Sequence, residues 1–232
     1  MGGAVNESSD DPAAVPATAA ARLRDILQIR FTPLFQGLPA SALERISPHN
    51  PLKRLLKLVG YAGVRLLGNA VRSITNPNRL AGATWLYVVS PNNVDALRFV
   101  REGLPDAVFV AGQGKRLAQY ANTVNRLSLR RKLTHYGQLQ AVWRALRASE
   151  GPAAWRFFDL IFAAVGYYEE YRCELRRYRP RAVVFANDHN DDARALLLAC
   201  RAEQIPTAYI QHASVSRWFP PLGFDLRMRE GR

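Results

Sequence analysis

Three short polar clusters in this sequence carry groups able to do chemistry, and each directly follows an apolar run. Asn187-Asp-His-Asn-Asp-Asp192 places three carboxylates and one imidazole within six residues. Asp188 or His189 could act as general base or orient a sugar hydroxyl, and such oxygen and nitrogen donors also suit a divalent metal. For Asp191 and Asp192 a plainer reading is available, because acids there favour a helix start through capping and the helix dipole. Asp188 and His189 precede that start, so with Asn187 they stay as site candidates. The second cluster, Gln211-His-Ala-Ser-Val-Ser216, offers His212 as base or phosphate ligand, with Gln211, Ser214 and Ser216 as hydrogen-bond donors. The competing reading of His212 is a histidine bonded to backbone at a strand end. The third, Gly112-Gln-Gly-Lys115, lets the backbone at Gly112 and Gly114 approach a phosphate, with Lys115 adding charge. Its third glycine is missing and the Walker spacing fails, so a plain strand-to-helix turn competes with the phosphate reading. No GxSxG elbow accompanies these groups, which argues against serine nucleophile chemistry. Cys173 and Cys200 have no CxxC or Cys/His spacing, so neither a disulfide framework nor a metal site is assigned.

The elements that must position these clusters are strands alternating with helices. Runs at Thr84–Ser90, Ala107–Ala111, Arg181–Ala186 and Pro206–Gln211 read as buried strands. Asn92–Gly103 and Asp191–Gln204 read as the helices between the first and last pairs, and Arg116–Ala148 and Pro152–Arg179 as long helical stretches divided at Ser149-Glu-Gly-Pro152. The pattern predicts an α/β fold, a Rossmann-like open parallel sheet of at least four strands. In such sheets ligands meet the carboxyl ends of the strands, where all three clusters fall, as does a fourth tip, Ser90-Pro-Asn-Asn93.

Ahead of the sheet, residues 1–20 read as a disordered Pro/Ala-rich tail with none of the marks of a secretory signal. Residues 21–80 read as a helical extension, and 81–226 as the Rossmann-like domain. Ala20–Ile46 is broken by Pro33, Gly37 and Pro39, and Ser41 with Glu44 reads as a capping box. From Asn50-Pro51 to Asn76-Pro77 a helix is predicted with Leu52, Leu55, Leu56, Val59, Leu66 and Leu67 along one face. Lys53, Arg54, Lys57, Arg65 and Arg72 occupy the other.

The chain has 232 residues, 48% of them hydrophobic, enough for one sizeable core. Its 32 Lys+Arg against 19 Asp+Glu give a formal charge of +13, an excess that points to a polyanionic partner. Lys115–Arg147 holds eight Lys/Arg and no Asp or Glu, and Pro51–Arg79 six and none. The basic helix could lie on an anionic membrane surface or simply pack its apolar face on the domain. Nucleic acid is the rival partner, but no RNP-like, helix-turn-helix or zinc-finger signature is present, so an anionic surface or lipid-linked acceptor is preferred. The most apolar window, Trp155–Tyr168, is interrupted by Arg156 and Asp159 and falls short of a membrane span. The expected location is cytoplasmic, with a peripheral position on the inner face of the cell membrane.

The run from Val183 through Pro206-Thr-Ala-Tyr-Ile-Gln-His212 to Asp225 resembles the end of the N-terminal Rossmann-like domain in GT-B enzymes of bacterial surface-carbohydrate biosynthesis. These include capsular and lipopolysaccharide glycosyltransferases, CDP-glycerol glycerophosphotransferases and, more distantly, non-hydrolysing UDP-N-acetylglucosamine 2-epimerases. The correspondence is a strand ending in Asp188, a helix, and the strand Pro206–His212. Aligned on the epimerases' His-x-Glu-Ala-Gly segment, this chain has His212 for the catalytic Glu and Ser214 for the Gly, so the resemblance favours transfer over epimerisation. It implies an acceptor-side domain of a glycosyltransferase or glycerophosphotransferase for surface polysaccharide, with His212 and Asp188 as catalytic candidates. A polysaccharide or lipid-linked acceptor would be its substrate. No cofactor is expected in this chain, and a nucleotide-activated donor is expected on a second domain, since Arg232 follows soon after the first domain should finish. The opposing expectation is a non-catalytic basic α/β module that binds nucleic acid, anionic lipid or a partner protein.

Overall fold

The computed structural model describes residues 14–71, 77–111, 122–123, 134–210 and 223–228. Its centre is a parallel sheet of six strands: β1 (Thr84–Val88), β2 (Ala107–Ala111), β3 (Asn122–Thr123), β4 (Ala182–Phe185), β5 (Thr207–Ile210) and β6 (Leu226–Met228). The order across the sheet is β3-β2-β1-β4-β5-β6, and every neighbouring pair is parallel. Thr84 lies beside both Ala107 and Ala182, and Val183 beside Thr207. This is the order of a doubly wound sheet, in which the chain leaves β1 toward one edge and returns at β4 toward the other, opening a crevice at their carboxyl ends. All five residues of β1 are buried, as expected of a central parallel strand covered on both faces.

The four predicted strands are therefore parallel and in one sheet, and two short edge strands join them. β3 falls inside the stretch read as helix from Arg116, and β6 begins at the residue where the domain was expected to end. Two- and three-residue strands hold too little of a period-two pattern to be told from their surroundings; β3 is defined only by Asn122 beside Val110 and Thr123 beside Ala111.

Alternation along the strands sorts the apolar side chains into two layers. Trp85, Tyr87, Val89, Val183, Phe185 and Tyr209 enter the larger core, whereas Leu86, Val88, Val184 and Ala186 face the smaller one with Leu97. Leu97 belongs to α5 (Pro91–Gly103), which connects β1 to β2. Ser90, expected as the last strand residue, is instead the N-cap of α5. Its Oγ accepts from the Asn93 N–H at 3.4 Å, and Pro91 occupies the first turn, where a missing N–H costs nothing.

Among the described residues, four α-helices precede the sheet: α1 (Ala19–Ile26), α2 (Pro33–Gln36), α3 (Ala40–Ile46) and α4 (Pro51–Val71). The breaks fall at Pro33, Gly37 and Pro39 as read from the sequence. The capping box does not form. Pro39 holds the N-cap position of α3, Ser41 lies inside the helix, and Glu44 instead accepts from the His49 N–H at 2.7 Å. α4 starts as expected, with Asn50 Oδ1 accepting from the Leu52 and Lys53 N–H groups.

Between β3 and β4 lie α6 (Leu139–Glu150), α7 (Pro152–Arg156), α8 (Phe158–Ala164) and α9 (Tyr167–Tyr178). The long helical stretch read from Pro152 to Arg179 is thus three helices. The last break is at Gly166, whose φ is 86° and whose hypothetical Cβ would lie 2.8 Å from the His135 ring, so both backbone and space demand glycine there. The last helix among the described residues, α10 (Asp191–Ala202), carries a continuous buried run from Asp192 to Cys200. Cys173 is exposed and Cys200 buried, both as free thiols.

Candidate active-site edge

β1, β4 and β5 are adjacent and parallel, so their carboxyl ends share one edge of the sheet. β4 delivers Asn187, Asp188 and His189 to it. The Asn187 side-chain oxygen accepts from the His189 N–H at 3.2 Å and the Asn190 N–H at 3.3 Å, closing a tight turn between strand and helix. That turn leaves Asp188 and His189 side by side, with Asp188 Oδ1 2.8 Å from His189 Nδ1. The Asp188 side chain is largely buried and that of His189 is about one-third exposed. The carboxylate is within ion-pair distance of the ring, although Asp188 Oδ1 makes no hydrogen bond there. Such a pair can take a proton from a hydroxyl or hold it as a hydrogen-bonded ligand.

Tyr209 of β5 completes the pair from the side. Burial, with Asp188 and the hydrogen bond to it adding to the effect, pushes the Tyr209 phenol well above its ordinary pKa, so it stays protonated and donates to Asp188. Phe224 stacks on Tyr209 with ring centroids 5.0 Å apart and also packs on Phe185, fixing the phenol over the strand ends. Across the crevice, buried Asn93 ties the two halves of the sheet together. Its Oδ1 accepts from the Val89 N–H at 3.1 Å and its Nδ2 donates to Ala186 O at 3.2 Å. Tyr209 was not among the candidates, although it was legible as the polar-tipped residue in phase with the core face of β5. Asn93 was read only as part of the strand tip Ser90–Asn93, with no role of its own.

The acids after the turn have a different part. Asn190 is the N-cap residue of α10, Asp191 and Asp192 fill its first turn, and Asp192 is buried. Burial, together with Asp192 and Tyr171 beside it, drives the Tyr87 phenol far above its ordinary pKa. Asp192 therefore belongs to a neutral-phenol network under the sheet edge rather than to the open crevice. Among the described residues no group of three or more His, Cys, Asp or Glu could hold a metal ion.

Gly112, Gly114, Lys115, Gln211, His212, Ser214 and Ser216 lie outside the described residues, as do Arg72 and the side chain of Arg65. Of the remaining basic residues of α4, Arg54 and Lys57 turn into the domain. Arg54 donates to Pro48 O at 3.0 Å, Arg156 O at 3.2 Å and Trp155 O at 3.4 Å. Lys57 donates to Ile46 O and pairs with the buried carboxylate of Asp159, which also hydrogen-bonds Ser47 Oγ. Only Lys53 of this trio is exposed. No described helix is long and apolar enough to cross a membrane. No family model matches the chain, and no curated protein or solved structure matches it either.

Proposed function

We propose that this chain is the acceptor-side domain of a GT-B-like glycosyltransferase or glycerophosphotransferase, acting on a carbohydrate or lipid-linked acceptor of bacterial surface polysaccharide. The observation that carries the reading is the Asp188–His189 pair at the carboxyl end of β4, one strand from the crevice-forming β1 and flanked by the Tyr209 hydroxyl. An acceptor hydroxyl placed against His189 would lose its proton to the imidazole as its oxygen bonds to the donor's sugar carbon or phosphorus. The leaving nucleotide departs with the electrons of the broken bond, and Asp188 stabilises the imidazolium that results. The donor would be held by a second domain. Gln211, His212, Ser214 and Ser216, which follow β5 in the sequence, are the further candidates for acceptor contacts.

The test is a titration of the full chain with glycerol 3-phosphate and with sugar phosphates, followed by the backbone amide signals of Asn187–Asn190. Saturable shifts that vanish in Asp188→Asn and His189→Ala support the reading; shifts elsewhere, or none, overturn it. The formal charge of +13 favours a second reading, a non-catalytic polyanion-binding module. It predicts oligonucleotide binding that falls steeply with salt and is unaffected by Asp188→Asn.

A further inference from the structure

α4 is turned around relative to an ordinary surface helix. Leu52, Leu55, Leu56 and Val59, spaced i, i+3, i+4 and i+7, form one stripe, and they are 64%, 56%, 62% and 61% exposed. The opposite side holds the helix to the domain through Arg54, Lys57 and Tyr61, whose hydroxyl donates to Ala163 O at 2.7 Å. The stripe is therefore presented outward by a built polar attachment, and a helix fixed this way cannot roll to bury its leucines without breaking the Lys57–Asp159 pair.

We propose that this stripe inserts into the headgroup region of an anionic membrane, with α4 lying in the plane of the surface. The proposal stands on α4 alone and goes beyond the transferase reading. Two observations select lipid over a second copy of the chain. Four such side chains expose on the order of 400 Å² per chain, about half of what each partner contributes to a stable protein interface. Two copies carrying +13 each also repel, whereas the same charge is complementary to anionic headgroups. Exposed Lys53 flanks the stripe one helical turn from Leu56, and exposed Arg45 lies in the segment leading into the helix. The stripe supplies the apolar area, and these side chains supply the charge, that together set the binding of an interfacial helix.

The test is co-sedimentation of the full chain with vesicles of phosphatidylcholine and phosphatidylglycerol in a seven-to-three ratio, with sedimentation equilibrium of the lipid-free protein alongside. Leu55→Gln/Leu56→Gln should raise the lipid concentration for half-binding about tenfold while leaving the circular dichroism unchanged. Lys53→Gln should raise it about fivefold on these vesicles and not on pure phosphatidylcholine. Binding by the leucine variant as tight as wild type would overturn the proposal, as would a wild-type chain that ignores anionic vesicles. A wild-type dimer that the leucine variant dissociates would overturn it too, assigning the stripe to a second copy. Asp188 and His189 are intact in these variants, so the outcome is independent of the acceptor titration.

Discussion

α1 and α4 come from the same N-terminal segment and are both amphipathic, yet they meet the protein with opposite sides. α1 buries Leu23 and Ile26, with Leu27 just beyond it, in the main core, and buried Arg194 of α10 locks it there by donating to Asp25 O, Asp25 Oδ1 and Gln28 Oε1 at 2.7–2.8 Å. α4 turns its cations inward and its leucines outward. The difference lies in what each helix finds opposite it. α1 faces an apolar layer. α4 faces the carbonyls that end α3 and α7, at Ile46, Trp155 and Arg156, together with the buried carboxylate of Asp159. Orphaned helix-end carbonyls and a buried charge need donors more than the leucines need cover. The inward face of an amphipathic helix is thus decided by its neighbours' unmet hydrogen bonds, not by its own pattern.

The largest expected effect tests that contrast directly. Leu27→Ala should cost about 3 kcal/mol in urea unfolding, because it leaves a cavity in a close-packed core. Leu55→Ala, the same chemical change on the outward stripe, should stay within about 0.5 kcal/mol. Equal losses at the two positions would mean that α4 packs its leucines in solution, and the comparison would collapse.

Next in size is the attachment itself. Lys57→Met leaves the Asp159 carboxylate buried without its cation, while Ser47 remains. A fully buried pair broken this way loses more, but the Lys57 side chain is 38% exposed, so the expected loss is about 2 kcal/mol. Adding Asp159→Asn should recover part of it, since the stranded charge is gone. A double variant as unstable as the sum of the singles would show that the two side chains do not act on each other.

The sheet was legible because its central strands are apolar runs of five or so residues bounded by turn residues, and the interruptions at Pro33, Gly37 and Pro39 were legible because three such residues within seven positions leave no room for an unbroken helix. The orientation of α4 was not legible. Its attachment depends on Asp159, about 100 residues away, an acid that interrupts an otherwise apolar window with nothing in the sequence to show its partner. The Asp188–His189 pair stood out as chemistry after a strand, but its third member, Tyr209, reaches it only through β4–β5 pairing. Asn93 and the Ser41–Glu44 pair show the same limit locally. A polar residue near a helix start can cap, bridge two strands or serve a neighbouring loop, and only the surrounding fold chooses.

The smallest expected effect calibrates the buried pair of α4 against an ion pair in water. Glu203, just past α10, receives Arg172 Nε at 2.5 Å and Arg176 Nε at 2.9 Å from α9, and both arginines are partly or largely exposed. Burial alone would raise the Glu203 carboxyl, but the hydrogen bonds and charges of Arg176 and Arg172 outweigh it and hold the carboxyl below its ordinary range. A depressed folded-state value means that the unfolded chain binds the proton more readily. The contribution is therefore present above the unfolded pKa of about 4.3 and is lost as pH falls through the folded value. Glu203→Gln should cost about 1 kcal/mol at pH 7, less than Lys57→Met because solvent screens both arginines. The gap between Glu203→Gln and wild type should narrow steadily below about pH 4.3 and close once Glu203 is protonated in the folded protein. Urea midpoints measured from pH 7 down to pH 3 check this. A gap that persists unchanged at the acid end would mean that the side chain stabilises α9 against α10 by packing, and that the arginines add nothing.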